Sequence, residues 1–110
     1  PRTFSSAASD VYKRQIKDSV HATDPEAKVI LYGSRARGDA RKDSDWDILI
    51  LVNTSALGLN QEKSLKYPLY RIERETGELI SPIVFTNTDW EKQRRITPLY
   101  TNVLTEGITL

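Results

Sequence analysis

Apolar positions fall into blocks with two different periods. Tyr12, Ile16 and Val20 recur every four residues, which predicts a helix over roughly 8–22 with one buried stripe. Thr23-Asp24-Pro25 ends it, because proline cannot continue a helix. Val29-Ile30-Leu31-Tyr32 is a short apolar run and predicts a first strand at about 28–33. Ile48-Leu49-Ile50-Leu51-Val52 is a stronger run and predicts a second strand at about 46–52. Asn53-Thr54-Ser55 and Gly58 mark a loop. Leu65, Leu69 and Ile72 then give the stripe of a helix over about 60–76, stopped by Gly77 and kinked or split by Pro68. A third strand follows at about 79–86. Thr88-Asp89-Trp90-Glu91 has the form of a capping box opening another helix. Pro98 opens a last helix to Thr105, closed by Gly107 and followed by a terminal strand at 108–110.

This order predicts an α+β fold: a small mixed β-sheet with helices packed mainly on one face. Strands one and two are joined by only about twelve residues, which include a short helix. The chain of 110 residues suits one compact domain. Residues 1–15 open on Pro1 in a chain without methionine, and are set apart as an unassigned or artefactual segment before a domain at 16–110.

Chemistry concentrates in residues 33–48. The first strand runs directly into Gly33-Ser34, and a basic loop with Arg35, Arg37, Arg41 and Lys42 follows. Asp45 and Asp47 open the second strand. Alternate strand residues share a face, so the two carboxylates point the same way. Each raises the cost of ionising the other. A divalent cation removes that cost, and Mg²⁺ takes one or two carboxylates plus substrate phosphates. A pair of such ions roughly 3.5–4 Å apart can clamp both oxygens of a phosphoryl transfer. Glycine lets the backbone approach a phosphate closely, serine supplies a hydroxyl, and arginine can grip phosphate with two parallel N–H bonds. Strand, glycine–serine turn, basic loop and carboxylate pair therefore point to a metal-bound nucleoside triphosphate. The bland alternative is a solvated turn leading into a hairpin.

Gly33-Ser34, the eleven-residue step from Ser34 to Asp45, and Asp45-Trp46-Asp47-Ile48 resemble the signature of the polymerase-beta-type nucleotidyltransferases. The whole stretch Leu31–Leu51 is similar to the small minimal nucleotidyltransferases (MNT type), often antitoxin partners of HEPN-domain proteins. Ile80-Ser81-Pro82-Ile83-Val84-Phe85, Asp89-Trp90 and Glu106-Gly107-Ile108 add to the resemblance, which covers about residues 16–110. It implies that Gly33 and Ser34, with Arg35, Arg37 and Lys42, bind the nucleotide. It also implies that Asp45 and Asp47 hold two Mg²⁺ ions and are catalytic. The transfer would move a nucleoside monophosphate, most readily AMP from ATP, to a hydroxyl acceptor. A tyrosine of a HEPN-type partner is the implied acceptor, and homo-oligomerisation is the other way to complete the site. One departure stands out: the family's third acid lies on the next strand, where this chain has Ser81. Glu78 and Asp89 flank that strand, and Glu78 is the candidate replacement, although a shift of three residues moves a side chain about 10 Å and flips its face. A non-catalytic binding module, acting by complex formation, is the alternative that Ser81 supports.

Composition narrows the classes. Sixteen basic and fifteen acidic residues leave a formal charge of +1, which argues against a nucleic-acid-coating protein. There is no cysteine, so disulfides and zinc–thiolate sites are excluded. No apolar run approaches the ~20 residues of a membrane helix, and a cytoplasmic protein is expected. His21 near a helix end, Trp46 between the acids, and Trp90, Tyr100, Tyr67 and Tyr70 on helices are read as packing, rim or surface residues.

Overall fold

The computed structural model describes residues 2–110. Its elements are α1 (Arg2–Thr23), β1 (Lys28–Tyr32), α2 (Ser34–Arg37), β2 (Trp46–Val52), α3 (Leu59–Thr76), β3 (Ile80–Thr86), α4 (Asn87–Lys92), α5 (Pro98–Glu106) and β4 (Ile108–Thr109). A 3₁₀ turn at Gln93–Arg95 links α4 to α5. Of the segment set apart at 1–15, Pro1 lies outside the described residues and the rest opens α1. That helix starts earlier than the spacing of Tyr12, Ile16 and Val20 required.

The sheet order is β3-β2-β1-β4. β1 pairs antiparallel with β2 and β4, whereas β2 and β3 are parallel, so the sheet is mixed. β2 is central because its sequence lets it be: apart from Asp47, every residue from Trp46 to Val52 is buried. Even-numbered β2 residues face one side. There Trp46, Ile48, Ile50 and Val52 join Ile16 and Val20 of α1 and Leu65 and Leu69 of α3 in the larger core. Odd-numbered residues face the other side. There Leu49 and Leu51 join Trp90, Tyr100 and Val103 in a smaller core under α4 and α5. The two long helices thus share one face, and α4 and α5 cover part of the second.

Several local expectations shift by a physical cause. Pro68 sits inside α3, yet the helix is continuous. Proline removes the N–H that would serve the carbonyl four residues back, here Ser64. That carbonyl instead accepts a hydrogen bond from the Thr23 hydroxyl at 3.4 Å. The cap of α4 is Thr86 rather than Thr88: Asp89 N–H donates to Thr86 Oγ1 at 3.0 Å. The capping pair is therefore Thr86 with Asp89, two residues earlier than the Thr88–Glu91 pattern suggested. His21 neither faces solvent freely nor serves the helix end alone, because its Nε2 lies 2.9 Å from the Ala27 carbonyl and braces the turn into β1. Gly77 does stop α3, in a left-handed conformation at φ 78°.

The connection from β1 to β2 turns on Gly33. Its φ is +78°, a region that L side chains rarely adopt. A Cβ there would run into Asp47 Oδ2. Glycine is thus required twice, by the turn and by the carboxylate packed against it.

Two stability measurements check these readings. Thr86 is 1% exposed and caps α4, so Thr86→Ala is expected to lower the unfolding free energy by about 1 kcal/mol. Urea denaturation that finds no change would show the cap to be idle. Gly33→Ala should cost about 1–3 kcal/mol by the same measurement, from backbone strain and the clash together. A variant as stable as the parent would contradict the turn geometry.

Candidate functional site

The site lies where the end of β1, the start of β2 and the start of β3 meet. Parity puts Asp47 on the sheet face of Leu49 and Leu51, opposite Trp46. Its Cα partners are Tyr32 on β1 and Ser81 on β3. Ser81 Oγ donates to Asp45 Oδ2 at 2.7 Å, so the serine spans both acids: its backbone is level with Asp47 and its hydroxyl reaches Asp45. Gly33 closes the third side against the Asp47 carboxylate.

Electrostatics follow from this crowding. The Asp47 carboxyl titrates above the usual aspartate range, chiefly because it is partly buried. The charges of Asp45 and then Glu106 push it further up, while Arg37 pulls it back. Beside it the Tyr32 phenol is pushed up to about 12, by burial first and by the Asp47 charge second. Two same-face carboxylates, one ionising reluctantly, form a hard-oxygen donor set that a divalent cation would relieve. This is a two-carboxylate mount; among the described residues no group of three or more acids or histidines converges as a metal cage. Mg²⁺ suits such a mount because it completes its shell with water and phosphate oxygens.

The basic residues divide. Arg35 does not reach the acids. Its guanidinium lies 4.9 Å from the Trp46 ring centroid, on the opposite side of the strand. It donates to the carbonyls of Ser44 at 3.0 Å and Lys42 at 3.3 Å, and pairs with Glu78 at 3.5 Å. Arg35 is thus a strut that ties loop 42–45 to α2. Glu78 is placed with it: Trp46 Nε1 donates to Glu78 Oε2 at 3.4 Å. The acid considered as a third ligand therefore sits on the Trp46 side, as the face-flip of an odd offset demands. Lys42 contributes its carbonyl, and its residue is exposed on the loop.

Arg37 is on the acid side but is already engaged. It donates to both Glu106 oxygens, at 3.2 and 3.1 Å, and to Asp39 at 3.2 Å. Glu106 also accepts the Gly33 N–H at 2.8 Å. Sequence reading did not place Glu106 at the site. It is 73 residues from Gly33, and periodicity carries no information over that span. Its appearance in the Glu106-Gly107-Ile108 resemblance was the one available signal.

The Gly33–Ser34 turn holds itself with short backbone bonds. Gly33 O accepts from Ala36 and Arg37, both at 3.0 Å, and Ser34 O accepts from Gly38 at 3.0 Å. The Ser34 hydroxyl and N–H lie outside this set. A cavity of about 560 Å³ lies on the same sheet face, between Lys28, Leu51, Trp90 and Tyr100, but neither acid lines it. The acids occupy an open corner, which fits an elongated polar ligand better than an enclosed one. Trp90 and Tyr100, 4.9 Å apart, are packing residues as expected. No helix among the described residues is long and apolar enough to cross a membrane.

Comparison with known proteins bears on the family and the fold. A relative from Methanocaldococcus jannaschii, named "putative protein adenylyltransferase", is 41% identical over 61 residues, which is 56% of this chain and 61% of the relative. The match thus spans less than two thirds of that relative's length. A solved structure described as a toxin–antitoxin with AMP-PNP superposes with a TM-score of 0.60 at 17% identity, covering 87% of this chain and 69% of that one. At that identity the likeness speaks for the fold. The family model described as "Nucleotidyltransferase domain" matches residues 13–97. That span takes in β1, the glycine–serine turn, both acids and β3, well over half of the chain, and on it the protein belongs to the nucleotidyltransferase-domain family.

Proposed function

We propose that this domain transfers a nucleoside monophosphate, AMP in the first instance, from a nucleoside triphosphate to a hydroxyl acceptor. The observation that carries the reading is the corner in which Asp47 packs against Gly33 while Ser81, its partner on β3, bonds the Asp45 carboxylate. The archaeal relative's name and the AMP-PNP of the structural neighbour support ATP as the donor. Asp45 and Asp47 would hold Mg²⁺, as two ions on the family pattern, which would neutralise phosphate charge when bound. Ser34 would bind the β- and γ-phosphates through its hydroxyl and N–H, and the turn at Gly33 would let them approach. Arg35 has no part in this, because it is committed to Trp46, Ser44 and Glu78. In the transfer the acceptor oxygen forms a bond to the α-phosphorus as the bond to the pyrophosphate oxygen breaks. The hydroxyl proton goes to water and pyrophosphate leaves.

The corner is open, so the acceptor surface comes from a partner or from a second copy of the chain. A tyrosine on a HEPN-type partner is the acceptor we favour, in keeping with the toxin–antitoxin description of the neighbour. A reaction that consumes nucleoside triphosphate would suit the cytoplasm. One observation favours a second reading: the residue paired with Asp47 on β3 is Ser81 and not a carboxylate. On that reading the domain binds its partner without turnover.

Calorimetry with MgATP separates the two. The parent should bind in the micromolar range, and Asp45→Ala/Asp47→Ala should abolish the Mg²⁺-dependent heat. Ser34→Ala should weaken binding by about tenfold, the order expected for losing a hydrogen bond to a charged group. A parent that does not bind MgATP would favour the partner-binding module. Binding that persists in the double variant would remove the acids from the site.

A further inference from the structure

Glu106 has no role in the reading above, yet it bonds both a backbone N–H and an arginine at the site. Its Oε1 accepts the Gly33 N–H at 2.8 Å, and both oxygens receive Arg37. Its side chain is 17% exposed. Its backbone is pinned from both directions. The last turn of α5 closes with Gly107 N–H on Val103 O at 2.8 Å, and a Cβ at Gly107 would meet both that carbonyl and Ile30. Immediately afterwards β4 pairs with β1, Ile108 against Leu31. The carboxylate is therefore delivered to a fixed point at the end of β1. There it meets the residue whose left-handed turn packs on Asp47.

From this geometry, and resting on the nucleotide-site reading, we infer that Glu106 is a positioning residue. It holds the Gly33–Ser34 turn against Asp47 and draws Arg37 toward α5. The Gly33 N–H is half-buried and would be left without an acceptor if Glu106 were removed. A turn freed at that point can swing away from Asp47, and Ser34 moves with it. A rival account makes Glu106 an internal anion that occupies a phosphate position on Gly33 N–H and Arg37. The two accounts differ in what a ligand does: a competitor has to be displaced when the ligand arrives, whereas a positioning residue stays on Gly33. Arg37 also has Asp39 as a second partner at 3.2 Å, so it is neutralised from both sides.

The test combines glycine-selective ¹⁵N labelling with MgATP calorimetry on the parent, Glu106→Gln and Glu106→Ala. The chain has five glycines, so Gly33 is one of five resonances. Glutamine still offers an oxygen to the Gly33 N–H. Glu106→Gln should keep the Gly33 resonance near its parent position and the MgATP Kd within about threefold. Glu106→Ala should shift the Gly33 amide upfield, speed its exchange, and raise the Kd about tenfold or more. If Glu106→Ala loses glycine dispersion altogether, Glu106→Asp takes its place. One methylene shorter, it is expected to act in the same direction. An unmoved Gly33 amide in the alanine or aspartate variant overturns the inference. So does unchanged or tighter MgATP binding, the latter being the signature of an internal competitor. A glutamine variant as impaired as the alanine one also overturns it, since charge and not the bond to Gly33 would then matter. A parent that fails to bind MgATP removes the nucleotide site itself and the positioning role with it.

Discussion

The double-sided burial of β2 is the constraint on which the rest depends. With cores on both faces, the parity of every residue in that strand is fixed. Trp46 goes under α1, where its ring meets Tyr12 edge-on at 5.8 Å. Asp47 is then forced to the opposite face. A slip of one residue would drive the acids beneath two helices and expel the tryptophan, at a cost no small domain could absorb. The apolar run Ile48–Val52 does more than make a strand, because it aims the carboxylates.

The same parity separates the charged residues of the neighbouring loop into two groups. On the Trp46 side, Arg35, Glu78 and the carbonyls of loop 42–45 form a polar cluster around an indole. On the Asp47 side, Arg37, Asp39 and Glu106 form another around a backbone N–H. α2 lets this happen in one turn, because residues two apart on a short helix point to different sides. The loop is thus well braced on both faces of the strand it precedes.

Much of the fold was legible because it is local. Strands one to three, the stop at Gly77 and the packing roles of Trp46, Trp90 and Tyr100 follow from periodicity, turn residues and side-chain alternation. The continuity of α3 through Pro68 was not legible, since it involves a carbonyl bonded to Thr23 on another helix. Nor was the shift of the cap to Thr86: two threonines two apart are equivalent on paper, and the end of β3 decides between them. At the site, the meeting of Gly33 with Asp47 was expected from the short connection between the two strands together with the family resemblance. The fate of the arginines was not. A basic loop looks like a phosphate clamp in sequence, and only tertiary contacts show that Arg35 and Arg37 already have carboxylate partners.

That last point changes how the site must work if it binds a triphosphate. With Arg35 turned to Glu78 and Arg37 held by Glu106 and Asp39, neither arginine of α2 offers uncommitted positive charge to the acid corner. Asp45, Asp47 and Glu106 leave that corner net negative, and this charge adds to the burial that already makes the Asp47 carboxyl ionise late. A bare polyphosphate would be repelled there. A polyphosphate that arrives with its cation meets two carboxylates suited to the cation, and a serine hydroxyl and backbone N–H suited to the oxygens. Affinity would then depend on the cation far more steeply than in a site lined by free arginines. The internal pairing of Arg35 and Arg37 would then make the cation the companion of any triphosphate bound there.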